Sequence, residues 1–176
     1  MCGVTALFEV SATDVADTSD DYYTPRWIFD AAGLVFDLDV AAPVDPHRRT
    51  CPARSYLTPV EDGLRTPWEG LVWMNPPYSR PGPWVEMFAR HRHGLALCPA
   101  TKRARWLGPL LNCADAVALL TVGDFGRPDG CTKGEIASLL ILAGCGPVAA
   151  GAVARVAAAD KYVQGAYHVR PRIGAA

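Results

Sequence analysis

No apolar run in this chain is long enough to cross a bilayer, which argues against a helical membrane span. No basic region precedes an apolar core near Met1, so no secretory signal is legible. None of the six cysteines stands in a CxxC pair or has a histidine at zinc-finger spacing. They read as small core residues kept reduced in a cytoplasm, with no structural metal. Charge is sparse and balanced: 17 Lys and Arg against 18 Asp and Glu give a net charge of −1. Such a chain is not a globally basic nucleic-acid binder, and DNA contact would need a local patch. No internal repeats are visible.

What is present is globular. The 176 residues, 50% hydrophobic and 20% charged, suffice for one domain with a sizeable core. Residues 1–19 read as a loose polar arm, and 20–176 as the domain. The chain is organised around Leu71-Val72-Trp73-Met74, an apolar run that stops at Asn75-Pro76-Pro77-Tyr78-Ser79. The run reads as a buried strand. Pro76 and Pro77 lock φ, remove two donors and push Asn75 into an extended conformation, giving a stiff turn at a strand's carboxyl end. In open α/β sheets ligands bind there. The Asn75 side-chain oxygen and the Pro76 carbonyl are acceptors, and Tyr78 offers a ring face, a set that suits a planar substrate bearing an NH2 group.

In chain order, Thr24 is a good N-cap for a helix opening at Pro25 and stopping at Gly33. Leu34 to Pro43 reads as the first strand and its loop, with Asp37 and Asp39 two apart and so expected on one face. Arg54 to Leu57 is a short strand. A helix from Trp84 to His93 follows the proline turn, with Pro83 in its first turn. Gly94 to Thr101 is a strand ending in a proline turn. Lys102 to Asn112 is a helix with Trp106, Leu107, Leu110 and Leu111 on one face; Asp115 to Val122 and Ile136 to Ala143 are strands; Pro147 to Ala159 is a helix. The 125–133 stretch, with Gly126, Pro128 and Gly130, reads as a loop. The alternation predicts an α/β domain with a mostly parallel sheet and an antiparallel last strand.

Val-Trp-Met-Asn-Pro-Pro-Tyr-Ser-Arg, preceded in order by Tyr-Thr-Pro, Asp-Leu-Asp-Val-Ala-Ala and Asp-Gly-Leu, resembles the phage-type DNA N-6-adenine methyltransferases. The resemblance runs over residues 20 to 145 and implies a Rossmann-like methyltransferase domain using S-adenosylmethionine, with double-stranded DNA as partner and a bacterial or phage-infected cytoplasm as location. It makes Asn75, Pro76, Pro77 and Tyr78 catalytic. It gives Tyr23, Thr24, Pro25, Asp39 and Ala41 to the methionine part of the donor and Asp62 to its adenine. One departure stands out: Ala41-Ala42-Pro43 replaces the usual glycine-rich loop, a version common in the phage family. Thr24-Pro25 also reads as a plain helix start, and Asp62-Gly63 as an ordinary turn.

Ser79 and Arg80 lie close enough to the turn to reach a DNA phosphate, and Lys102 and Arg103 form a further basic pair. Arg48, Arg49, Arg105, Arg170 and Arg172 are further candidates, and each basic cluster is more often just a solvated face. The same chemistry on a protein glutamine or an RNA base, and a catalytically silent DNA-binding module, stay open. The recognition sequence, oligomeric state and ribose-binding acid are not encoded legibly.

Overall fold

The structure is a computed structural model that describes residues 23–100, 104–121, 139–161 and, for backbone, 167–169. The 1–19 arm, the 125–133 loop, Lys102, Arg103, Arg170 and Arg172 lie outside the described residues. One seven-stranded sheet holds β1 (Phe36–Asp39), β2 (Ala53–Tyr56), β3 (Val72–Met74), β4 (Gly94–Pro99), β5 (Ala116–Leu120), β6 (Leu140–Cys145) and β7 (Tyr167–Val169) in the order β2-β1-β3-β4-β6-β5-β7. The first four strands along that order are mutually parallel. Strand β6 runs antiparallel to both its neighbours, as the sequence predicts for that strand. Strand β7, which the sequence left unassigned, adds antiparallel to β5.

Among the described residues four α-helices cover the sheet: α1 (Arg26–Ala32), α2 (Gly82–His91), α3 (Leu107–Cys113) and α4 (Pro147–Ala159). Helices α1 and α4 bury Ile28, Phe29, Ala152 and Val156 with Trp73, Leu95 and Leu97. Helices α2 and α3 bury Val85, Phe88 and Leu110 with Val72, Met74, Ala96 and Cys98. Strand β4 is buried at every position and feeds both layers by alternation, which is why it reads as an unbroken apolar run. Helix α4 buries Ala149, Ala152, Val153, Val156 and Ala157, an apolar stripe with helical spacing.

Two local expectations are corrected. Thr24 does not cap α1: the N-cap position is Pro25, with no side-chain cap, while Gly33 ends the helix at φ 59° as expected. The reason is that Thr24 is buried and its hydroxyl is engaged elsewhere. Helix α3 starts at Leu107, well after Lys102, because Pro109 is tolerated in a first turn and would break a helix interior. Leu111 consequently lies exposed, and Cys113 takes the buried position beside Leu110.

Helix α1 is tied to α4 by Arg155, whose Nε donates to the Ala32 carbonyl at 3.1 Å, with a second bond from Nη2. This anchors the helix that begins directly after Thr24-Pro25. No helix among the described residues is long and apolar enough to cross a membrane.

Candidate active site

Strand β1 has β2 on one side and β3 on the other, so the chain reverses its direction of travel across the sheet at the β1–β3 pair. A crevice at the carboxyl ends of such a pair is where ligands bind. Asp39 is in register with Trp73, and the Val40 N–H donates to the Trp73 carbonyl at 3.1 Å. The segments that leave these strands, Val40-Ala41-Ala42 and Asn75-Pro76-Pro77-Tyr78, therefore emerge side by side.

Asn75 is half-buried, and its Nδ2 donates to Thr24 Oγ1 at 3.1 Å. That bond spans most of the site in sequence and joins the Tyr23-Thr24-Pro25 segment to the proline turn. Thr24 is held in turn by Thr50, whose Oγ1 donates to the Thr24 carbonyl at 2.8 Å. Cys51, the next residue, lies beside the Asp39 side chain, and Asp39 Oδ1 accepts from the Ala41 N–H at 3.2 Å. Tyr23 takes a hydrogen bond on its hydroxyl from Arg48 Nη1 at 3.1 Å. Asn75, Thr24, Asp39 and Ala41 thus form one connected cluster.

Asp39 is an acid in an apolar setting. Burial pushes its pKa up to about 7, against the Ala41 N–H, the Cys51 hydrogen bond and the Arg49 charge, which pull it down. The same burial, with the Asp39 charge nearby, drives the Cys51 thiol up. Asp37 behaves differently, and the expected common face is not observed. The Leu71 carbonyl accepts from both the Asp37 and the Leu38 N–H, an irregularity that breaks simple alternation. Phe36 and Leu38, two apart, accordingly enter different apolar layers. Asp37 Oδ2 accepts from the Leu71 N–H and Oδ1 from Arg54 Nη1, both at 2.8 Å, away from the crevice.

The proline turn is closed by the Arg80 N–H donating to the Pro77 carbonyl at 3.2 Å. Pro76 is buried, Pro77 half-buried, and Ser79 and Arg80 are exposed just beyond. Tyr78 is half-buried and packs against the layer shared with α1 and α4, not against α2. Asp62 lies in a turn, with Oδ1 accepting from the Leu64 N–H at 3.1 Å, and Gly63 touches the Val40 carbonyl at the end of β1. Arg49 is occupied with the carbonyls of Pro43 and Val44 and with the Tyr56 ring. Among the described residues no cluster of His, Cys, Asp or Glu has metal-binding geometry.

Sequence reasoning missed Thr50 and Cys51, which brace Thr24 and Asp39. No motif marks them; parallel pairing of β2 with β1 brings them there. It also missed Trp68 and Trp84, which pack around Gly63.

The model of the DNA N-6-adenine-methyltransferase (Dam) family matches residues 11–138, most of the chain. The chain belongs to that family. A DNA N-6-adenine-methyltransferase of Haemophilus phage HP1 (strain HP1c1) is 37% identical over 71 residues, covering 38% of this chain and 39% of that relative. The alignment therefore spans about two fifths of the relative's length. No solved structure matches.

Proposed function

We propose that the chain transfers a methyl group from S-adenosylmethionine to the exocyclic amine of adenine in double-stranded DNA. The observation that carries this reading is the Asn75–Thr24 hydrogen bond, which seats the Asn-Pro-Pro-Tyr turn beside the buried Asp39 at the β1–β3 crevice. Family membership and the relative's name agree with it.

The donor set fits the cofactor. S-adenosylmethionine carries a cationic ammonium and a sulfonium, and Asp39 is a buried carboxylate at the crevice. Ala41 is small enough for close approach. Tyr23, Thr24 and Pro25 join the same cluster through Thr24, and the Asp62-Gly63 turn stands near the end of β1. When bound, the cofactor supplies an electrophilic methyl group.

The protein's part is orientation. An adenine amine is a poor nucleophile because its lone pair is delocalised into the ring. With Asn75 Nδ2 donating to Thr24, the amide's acceptor pole is Oδ1. Oδ1 and the Pro76 carbonyl accept the two amine hydrogens, which rehybridises the nitrogen and aims its lone pair. Positioning of this kind accounts for about 7–11 kcal/mol of a barrier. A duplex hides the amine, so the base flips out. Tyr78 stacks on it, a contact worth about 1–3 kcal/mol. Ser79 and Arg80, exposed beside the turn, contact the backbone phosphate. Lys102 and Arg103 supply further positive charge for the DNA. The protein acts where DNA is, in a bacterial or phage-infected cytoplasm.

The test incubates the protein with unmethylated DNA and labelled donor, then locates the modified base by sequencing. Label on the adenine amine is expected; label on protein glutamine or RNA alone would refute the reading. Asn75→Ala should abolish transfer and leave cofactor affinity within a few-fold. A variant that keeps more than about a tenth of turnover, only about 1.4 kcal/mol, would refute the role of the amide.

A further inference from the structure

Two cysteine sulfurs meet at the amino end of β4. Cys113 is the last residue of α3, and Cys145 ends β6 and pairs with Gly94, the first residue of β4. Both are buried in the layer under α2 and α3. The Cys145 thiol donates to the Cys113 carbonyl at 3.1 Å and to Cys113 Sγ at 3.6 Å. Backbone bonds flank the pair: the Asp115 N–H donates to the Gly144 carbonyl at 2.8 Å, and the Gly146 N–H to Asp115 Oδ2 at 2.7 Å. The two segments are thus already held together beside the thiols, and the sulfurs need to close by only about 1.5 Å to reach a bond of about 2.05 Å.

The described cysteines do not share one environment. Burial drives the Cys51 and Cys98 thiols up, so each keeps its proton. Cys113 is lowered, first by the hydrogen bond from Cys145 and then by the Arg92 charge after α2, against burial and the Asp115 carboxylate. Cys145 is raised, first by that same bond, in which it holds the proton. One sulfur is therefore the nucleophile and its neighbour the proton carrier, as an attacking and a resolving thiol require. Asn112 and Pro147, next to them in the chain, are exposed, so fraying of the last turn of α3 admits a small oxidant.

We propose that Cys113 and Cys145 are an oxidisable dithiol that locks the end of α3 to the β6–α4 junction when peroxide is present. The Cys113 thiolate attacks one peroxide oxygen and breaks the O–O bond, giving a sulfenic acid and hydroxide, which takes back the proton Cys113 shed and leaves as water. The Cys145 sulfur then attacks the sulfenic sulfur; the S–O bond breaks, and the thiol proton leaves with that oxygen as a second water. Two thiols lose two electrons to one peroxide, and a thiol reductant reverses the change. The disulfide closes β5 into one covalent loop. Asn75 follows the carboxyl end of β3, whereas Gly94, beside Cys145, pairs with the first residue of β3, so the dithiol is separate from the proposed methyl-transfer site.

The experiment exposes the folded full chain to hydrogen peroxide, with Cys2→Ser and Cys131→Ser leaving only Cys51, Cys98, Cys113 and Cys145. Peptide mass mapping should find a Cys113–Cys145 cross-link, free thiols should fall from four to two, and dithiothreitol should restore them. The cross-linked form should melt about 5–10 °C above the reduced form, because the bond restricts the unfolded chain. In Cys145→Ser, dimedone should label Cys113 as a trapped sulfenic acid; in Cys113→Ser, Cys145 should stay unlabelled. Should these variants not fold, mapping of the peroxide-treated wild-type chain must still show the same cross-link. Four free thiols after treatment, a cross-link that forms only in urea, or one that joins Cys98 to either sulfur would overturn the inference. So would an unchanged Tm in the cross-linked form, or dimedone on Cys145 in place of Cys113.

Discussion

Asp37 and Asp39 stand two residues apart in one four-residue strand and meet opposite fates. Asp37 is half-exposed, caps the Leu71 N–H and pairs with Arg54, and these contacts hold its pKa below the usual carboxylate range. Asp39 is buried, forms no ion pair among the described residues, and is pushed up to about 7 by that burial. The first secures the start of β3; the second stands at the carboxyl end of β1, beside Trp73 in register. Residue type and spacing are the same, so the difference comes from the end of the strand each occupies. Stability is served at one end of β1, and an acid is held at some cost at the other, as expected where a cationic ligand binds.

The widest separation between the two should come from cofactor binding. Asp39→Ala should lose about tenfold or more in affinity for S-adenosylhomocysteine, whose ammonium supplies the cation. Asp37→Ala should leave that affinity unchanged. Calorimetry on both variants decides this, and equal losses would erase the contrast.

Tyr78 tests whether the crevice end is purely functional, because the ring is also part of the α1/α4 layer. Tyr78→Phe should retain most turnover. Tyr78→Ala should lose turnover, with a defect on the scale of about 1–3 kcal/mol for a lost stacking contact, and duplexes with a mismatched target should partly rescue it. Equal defects on matched and mismatched duplexes, together with a lower Tm, would assign the ring to packing alone.

The pH dependence of stability separates the aspartates by sign. Folded Asp39 holds its proton up to about pH 7, whereas the unfolded chain releases it near 3.8. Its contribution is full below pH 3.8 and is lost as pH rises toward 7. Asp37, with a lowered pKa, contributes above 3.8 and loses that contribution as pH falls through its folded value. Thermal melts should show a Tm that declines less between pH 4 and 7 in Asp39→Asn than in wild type. Asp37→Asn should flatten the acid limb below pH 4. Identical profiles for wild type and Asp39→Asn would place the Asp39 carboxyl in contact with water.

The smallest effect belongs to Arg54→Ala. Its side chain is 74% exposed, and such ion pairs contribute little. A Tm within error of wild type is expected; a clear drop would mean that Arg54 fixes the rotamer with which Asp37 caps Leu71.

Much of this was legible in the chain. Strand β4 and helix α4 appear as read, because an unbroken apolar run and an alanine stripe bounded by Pro147 each have one good structural solution. The turn at Asn75 was legible because two prolines leave the backbone few choices. The split between Asp37 and Asp39 was not, since it depends on a strand irregularity set by the neighbouring Leu71 carbonyl. The role of Thr24 was misread for a similar reason. A hydroxyl ahead of a proline looks like a cap, and its actual partner, Asn75, is contributed by the turn after β3, much later in the chain. Lys102 and Arg103, read as basic contacts, lie outside the described residues.

The sheet order also bears on how the protein is made. Strand β4 is apolar throughout, yet β6, not β5, completes its edge. During synthesis α3 and β5 leave the ribosome before that partner exists. Until β6 arrives, the nascent chain carries a long hydrophobic edge with its ladder groups unmatched, the condition under which strands join foreign chains. Slowing translation between β4 and β6 should lower soluble yield, and overexpression should be most sensitive to temperature in that window.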